Sequence, residues 1–157
     1  MGKFHTAPYG GRNDTRFQGN ACTGLAEATT ITIPSVPTHT SEEWAQAVFD
    51  VRNVPAPVLA MFWLRERIVG LLGIAKGRPD TFAVDKIADG EALIEADEKH
   101  LRFVASVQAD NDAGLLHVVT AVELKNRAGR IYFAPVQVLH GVITRAMMTS
   151  ARKRLCT

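Results

Sequence analysis

The sequence predicts an α+β fold: an antiparallel sheet of about five strands wrapped on a long C-terminal helix, with two helices between the first and second strands. Three observations predict it. Four stretches after residue 80 read as strands and are separated by turn-length connections alone, so they pair as hairpins. Two segments of helical period stand before them, behind one isolated strand. The segment Asn126 to Arg154, "NRAGRIYFAPVQVLHGVITRAMMTSARKR", begins in turn chemistry, turns apolar at helical spacing and ends in basic residues.

A chain of 157 residues is one domain's worth, long enough to bury a core without staples. Its 46% apolar and 22% charged content is ordinary for a soluble globular protein. A net charge of +2, with no groove-reading motif, points away from nucleic acid. Cys22 and Cys156 are expected to be separate reduced thiols. The longest apolar run, Pro55 to Ile74, holds Arg65, Glu66 and Arg67 in its middle. Charges at a bilayer centre cost roughly 2.5–3.5 kcal/mol each, so a buried or half-buried helix is expected there and no membrane span. The polar, glycine-rich start is unlike a signal peptide, "MGKFHT" fits the N-myristoylation pattern only loosely, and a cytoplasmic location is expected.

Residues 1–26 lack periodicity and are read as a flexible arm, leaving 27–157 as one domain. "ATTITIP" alternates and stops at Pro34, predicting a short strand with Ile31 and Ile33 on one face. In "THTSEEWAQAVFDV", Thr40 or Ser41 can cap a helix, with Glu42 and Glu43 in its first turn. Trp44, Ala47, Val48 and Val51 then share a face. Pro55 and Pro57 open a second helix that runs to Gly73.

The next strands are "TFAVDKIA", "EALIEAD", "HLRFVASVQA" and "LLHVVTAVELK". If Asp110 pairs with Leu115 across a four-residue loop, Leu101 faces Leu124, Phe103 faces Val122, Ala105 faces Thr120 and Val107 faces Val118. The opposite face then pairs Arg102 with Glu123 and Gln108 with His117. A slip of one residue would turn a whole strand over, so this register is expected. The small pair Ala105 and Thr120 leaves a dip in the sheet. On the last helix Tyr132, Val136, Leu139, Val142, Ile143, Ala146, Met147 and Ser150 form the expected apolar stripe, with Met147 inward and Met148 outward. Pro135 predicts either a kink or the start of the helix.

Together, "EEWAQAVFD", "PVLAMFWLRERIVGLLGI", "HLRFVASV" and "NRAGRIYFAPVQVLHGVITRAMM" resemble a bacterial domain-of-unknown-function family (number twenty-eight sixty-seven, in words). The resemblance covers roughly Glu27 to Arg154 and is strongest at Gly129, Tyr132, His140, Met147 and Leu64-Arg65. Val138 and Arg102 stand where that family usually has a proline and an acidic residue. The element order looks like the helix-grip fold of the START and polyketide-cyclase (SRPBCC) superfamily. In other proteins the family is often fused to an NAD-dependent epimerase-like domain. The resemblance implies a cavity between helix and sheet.

Arg65 lies within an apolar stripe, so it must find a partner: a ligand carboxylate or phosphate at a pocket wall, or an internal salt bridge. His140, at the edge of the last helix's apolar face, could serve as an acid or base or as a hydrogen-bonded structural residue. Tyr132 could offer its hydroxyl to a polar head or simply line a wall. With the dip, these define the expected ligand wall: Arg65, Tyr132, His140, Phe103, Ala105, Thr120, Leu139 and Ile143. His100 and His117 fall on the outer face. "DNDAG" reads as a hairpin turn and not a calcium loop, and no cofactor or metal site is expected. The leading expectation is a domain that binds a small apolar molecule, such as an aromatic acid or a lipid-like compound, with a homodimer as one expected form. The alternatives are a cyclase or dehydratase-type enzyme using His140, Tyr132 or Arg65, and an accessory module for an oxidoreductase partner.

Overall fold

The computed structural model describes residues 4–8, 25–50, 86–88 and 90–156; at 4–8, 86–88 and Tyr132 the description is of the backbone. The expected helix over 55–73, the first part of the expected strand over 81–88, Cys22 and Arg65 lie outside these residues. The fold is α+β, as the connections require. Its strands are β1 (Phe4–Pro8), β2 (Leu25–Thr32), β3 (Lys86–Ala88), β4 (Glu91–Asp97), β5 (Leu101–Asp110) and β6 (Leu115–Leu124). Helix α1 spans Ser41–Phe49 and α2 spans Arg127–Leu155. The sheet is antiparallel, in the order β1-β2-β6-β5-β4-β3. It has six strands where about five were expected. The additional one is β1, from the segment read as an arm, which pairs Phe4 with Ile31 and Pro8 with Glu27.

The β5–β6 hairpin takes the register that side-chain alternation demands, from Leu101 opposite Leu124 to Asp110 opposite Leu115. Its loop closes by local chemistry. Ala113 N–H donates to Asp110 Oδ1 at 2.8 Å, and Gly114 takes φ of +65°, a left-handed value that a side chain would strain. The Gly114 carbonyl then accepts from Ile33 N at 2.8 Å, tying the loop to the end of β2.

Helix α1 starts at a capping box. Glu43 N–H donates to Thr40 Oγ1 at 3.2 Å, and Thr40 N–H donates to Glu43 Oε2 at 2.8 Å. That backbone hydrogen bond holds the Glu43 carboxyl below its usual range, with His39 helping. A depressed carboxyl contributes stability that is present above its unfolded value, about 4.3, and is lost as pH falls through the lower folded value. The stability difference between the protein and Glu43→Gln is therefore expected to shrink as pH falls through the Glu43 range below about pH 5. Thermal melts from pH 7 to pH 3 check this, and a difference independent of pH would remove the assigned role.

Trp44, Ala45, Ala47 and Val48 of α1 are buried against β2, β4, β5, β6 and the C-terminal part of α2, among Ile31, Ala92, Val107, Leu116, Val118, Met148 and Ala151. Ser41 Oγ locks the start of α1 to the sheet, donating to Gly90 O at 2.5 Å and accepting from Ala109 N at 3.0 Å. A second apolar cluster, Val122, Leu124 and Phe133 with Leu25, Leu101, Phe103 and Val136, holds the N-terminal part of α2.

Helix α2 begins at Arg127, capped by Asn126 Oδ1, which accepts from Gly129 N at 2.9 Å. It thus starts before Pro135, which sits inside it and leaves the Ile131 carbonyl without its usual donor. Its inward face is not the expected stripe. Gly129, Phe133, Thr144, Met148 and Ala151 are the buried positions among the described residues, and Val136, His140 and Met147 are among the partly buried ones. Met148 is fully buried and Met147 only partly, the reverse of the expected pair. Relative to the predicted stripe the helix is turned by about 100°, the angle of one residue. Ile131, Val138, Leu139 and Val142 consequently form an exposed apolar ridge, with Val138 80% exposed.

Candidate functional site

Alternation along β2, β6, β5 and β4 puts one row of inward residues across the middle of the sheet: Glu27 opposite Thr120, Thr120 opposite Ala105, Ala105 opposite Ile94. The row above it is Thr29, Val118, Val107 and Ala92; the row below is Leu25, Val122, Phe103 and Ala96. Val118, Val107 and Ala92 belong to the cluster under α1, and Leu25, Val122 and Phe103 to the cluster under the start of α2. The middle row belongs to neither. Among the described residues it separates the two clusters, and Ala105 and Thr120, both buried, lie within it.

A carboxylate enters this division from the sheet and an imidazole from the helix. His140 Nδ1 lies 3.1 Å from Glu27 Oε2, with side chains 14% and 12% exposed. An ionised carboxylate can only accept, so Nδ1 carries the proton and the tautomer is set; Nε2 is left with its lone pair when the imidazole is neutral. Thr120 and Thr144 are buried beside this level of sheet and helix. Arg145 Nε donates back to the Gly141 carbonyl at 2.9 Å.

Gly141 explains how the groups fit. A Cβ at this position would lie 2.6 Å from Glu27 Oε1 and 3.6 Å from an Arg145 guanidinium nitrogen. Glycine inside a helix costs about 1 kcal/mol relative to alanine. Here the missing side chain is the space that the Glu27 carboxylate occupies.

Of the expected wall residues, His140, Ala105 and Thr120 are brought to one level. Ala105 is fully buried and Thr120 3% exposed. Phe103 packs in the lower cluster. Ile143 is partly buried, while Leu139 is 40% exposed, on the ridge facing away from the sheet. Arg65 and the Tyr132 side chain lie outside the described atoms. His117 is on the outer face as expected, with Nδ1 2.9 Å from Thr30 Oγ1. His100 is instead a buried residue of the β4–β5 turn.

Glu27, Gly141 and Arg145 were missed. One signal could have found the first: read back from Ile31, β2 keeps its alternation, and Glu27 has the parity of Ile31 and Ile33. A charge at apolar parity is a request for a partner. Other chemistry is not assembled here. Burial pushes the Cys156 thiol up against the opposing influence of Arg152, which does not activate it as a nucleophile. Among the described residues no helix is long and apolar enough to cross a membrane.

A family model described as "Protein of unknown function (DUF2867)" matches residues 23–147, more than half of the chain. No curated protein and no solved structure matches the chain.

Proposed function

The chain belongs to the DUF2867 family, and from the geometry of its polar row we propose that it is a small-molecule-binding domain. The ligand lies between the sheet and α2, with its apolar body against the two clusters and its polar group at His140. One observation carries this reading: a carboxylate–histidine pair, itself partly reachable from solvent, lies at the level between the two apolar clusters of the described residues. A recognition site in an apolar wall needs one oriented polar group, and the pair supplies it.

The test is a thermal-shift screen of the full chain against lipophilic acids, phenols, alcohols and sterol-like compounds. Saturation at one hundred times Kd stabilises a fold by about 2.7 kcal/mol. For a chain of this size that is a rise of roughly 5–10 °C. At least one class is expected to reach it in the protein and to fall short in His140→Ala. A flat response across all classes would overturn the reading.

A second reading is an acid–base enzyme of the cyclase or dehydratase type. It is favoured by the Glu27 contact on Nδ1, since a base needs an orienting partner as well as a free nitrogen. Turnover of a bound carbonyl compound, abolished in His140→Ala and reduced in Glu27→Gln, would select it over binding alone.

A further inference from the structure

We propose that the outward face of α2 is a docking surface for an anionic lipid bilayer, on which the helix lies flat at the headgroups and does not span. This surface is separate from the polar row, because it occupies the opposite side of the same helix.

Exposure is the first observation. Ile131, Val138 and Val142 are 62%, 80% and 60% exposed. Spacings of seven and four residues put them on one line along the helix. From Ile131 to Thr144 the sequence holds no Asp, Glu, Lys or Arg. Water therefore meets an uncharged ridge about 17 Å long from Ile131 to Val142, at about 1.5 Å per residue. A contiguous apolar patch on a surface marks an interaction site more often than a lone exposed side chain does.

Charge is the second. Helix α2 carries Arg127, Arg130, Arg145, Arg152, Lys153 and Arg154 and no acidic residue. The whole chain has 18 Lys and Arg against 16 Asp and Glu, so without this helix the remainder is net negative. Three of the cations have local contacts. Arg145 Nε donates to the Gly141 carbonyl, Arg152 to the Thr32 carbonyl at 3.2 Å and Arg154 to Asp50 Oδ2 at 2.7 Å. Arg127 and Arg130 are exposed in the first turn, where the helix dipole disfavours a cation and no acid offsets it. An anion met at that end accounts for two arginines placed against the dipole.

The two features share one side of the helix. At about 100° per residue, Arg127 and Lys153 fall in the same outward sector as the ridge. Cations thus stand at both ends with hydrocarbon between them. An interfacial helix has this composition: its apolar side chains enter the boundary of headgroups and acyl chains while long cationic side chains reach the phosphates. The ridge is also convex, being the outermost line of a helix laid on a sheet. A bilayer yields to a convex ridge, whereas a folded partner must offer a matching groove. Nucleic acid would lay phosphates over the uncharged middle, where no cation meets them.

The experiment is co-sedimentation of the full chain with extruded vesicles of phosphatidylcholine, alone or with about 30% phosphatidylglycerol to supply the negative surface. The anionic vesicles are expected to bind at least tenfold more strongly. That preference should collapse when salt is raised from about 0.05 M to about 0.5 M. Arg127→Gln with Arg130→Gln should weaken anionic binding by about fivefold per cation removed. Val138→Ser and Val138→Glu change a side chain already in water, so the melting temperature should hold while binding falls at least fivefold. Equal binding to both vesicles overturns the proposal. Binding to neither also overturns it and hands the ridge to a protein partner. Anionic binding that both Val138 variants leave untouched reduces the effect to general charge attraction, and the docking face falls. If the protein is oligomeric without vesicles and Val138→Glu makes it monomeric, the ridge joins copies of the chain and the proposal fails.

Discussion

Gly129→Ala is expected to destabilise the protein by about 2–3 kcal/mol, the range for overpacking a site that cannot relax, with a fall in melting temperature of several degrees. The sign is the informative part. Glycine to alanine inside an exposed helix ordinarily gains about 1 kcal/mol. At Gly129 the new Cβ would stand 2.2 Å from the His100 carbonyl oxygen and 3.1 Å from its carbon. That carbonyl cannot easily retreat, because it accepts from Lys125 N at 3.0 Å where the β5–β6 ladder ends. Nor can the helix withdraw freely, since Gly129 N–H is held by the Asn126 cap. Denaturant unfolding followed by circular dichroism measures the change; a neutral or stabilising alanine would show that helix and turn do not meet this closely.

The second large effect is at Trp44. Trp44→Ala is expected to cost about 3–5 kcal/mol, the range for removing a buried aromatic side chain. The ring is 1% exposed at the centre of the larger cluster and meets the His39 ring edge-on, with centroids 6.0 Å apart. Trp44→Phe should cost much less, within about 1 kcal/mol. The buried indole Nε1 finds no hydrogen-bond partner among the described residues, and burying such a donor costs about 1–3 kcal/mol. Phenylalanine forfeits part of the packing but removes that penalty. The same unfolding measurement decides it: a phenylalanine variant as damaged as the alanine one would mean that the N–H is satisfied.

Much of this architecture was legible in the residues. The register of β5 on β6 followed from alternation alone, because a strand's side chains repeat every two residues and a slip of one residue puts Glu123 and His117 on the same face as Leu101 and Val107. A helix cap at Thr40 or Ser41 was legible, of which the structure selects Thr40, and so was the hairpin turn between β5 and β6. The pairing of Ala105 with Thr120 was visible as two small side chains between larger ones. His140 was visible as a histidine at a helix edge.

Its partner was not. Glu27 stood at the margin of the segment read as an arm, and strand character there becomes evident only once β1 and β6 flank it. A pairing across 113 positions of chain leaves no local pattern. Gly141 and Arg145 carry no signal without that carboxylate, since their roles are defined by what approaches them.

The strand pattern and the turns were determined by the sequence itself, because period-two alternation and turn chemistry are satisfied within a few residues or across one hairpin. The rotation of α2 was decided only in the tertiary structure. That helix has apolar residues on more than one side, so helical period alone does not select an angle. The sheet selects it. A Glu27 carboxylate on the inner face must meet a polar partner, and turning the helix by about one residue brings His140, Gly141 and Thr144 inward in place of Leu139 and Val142. Leaving apolar side chains in water costs less than leaving a charge buried alone.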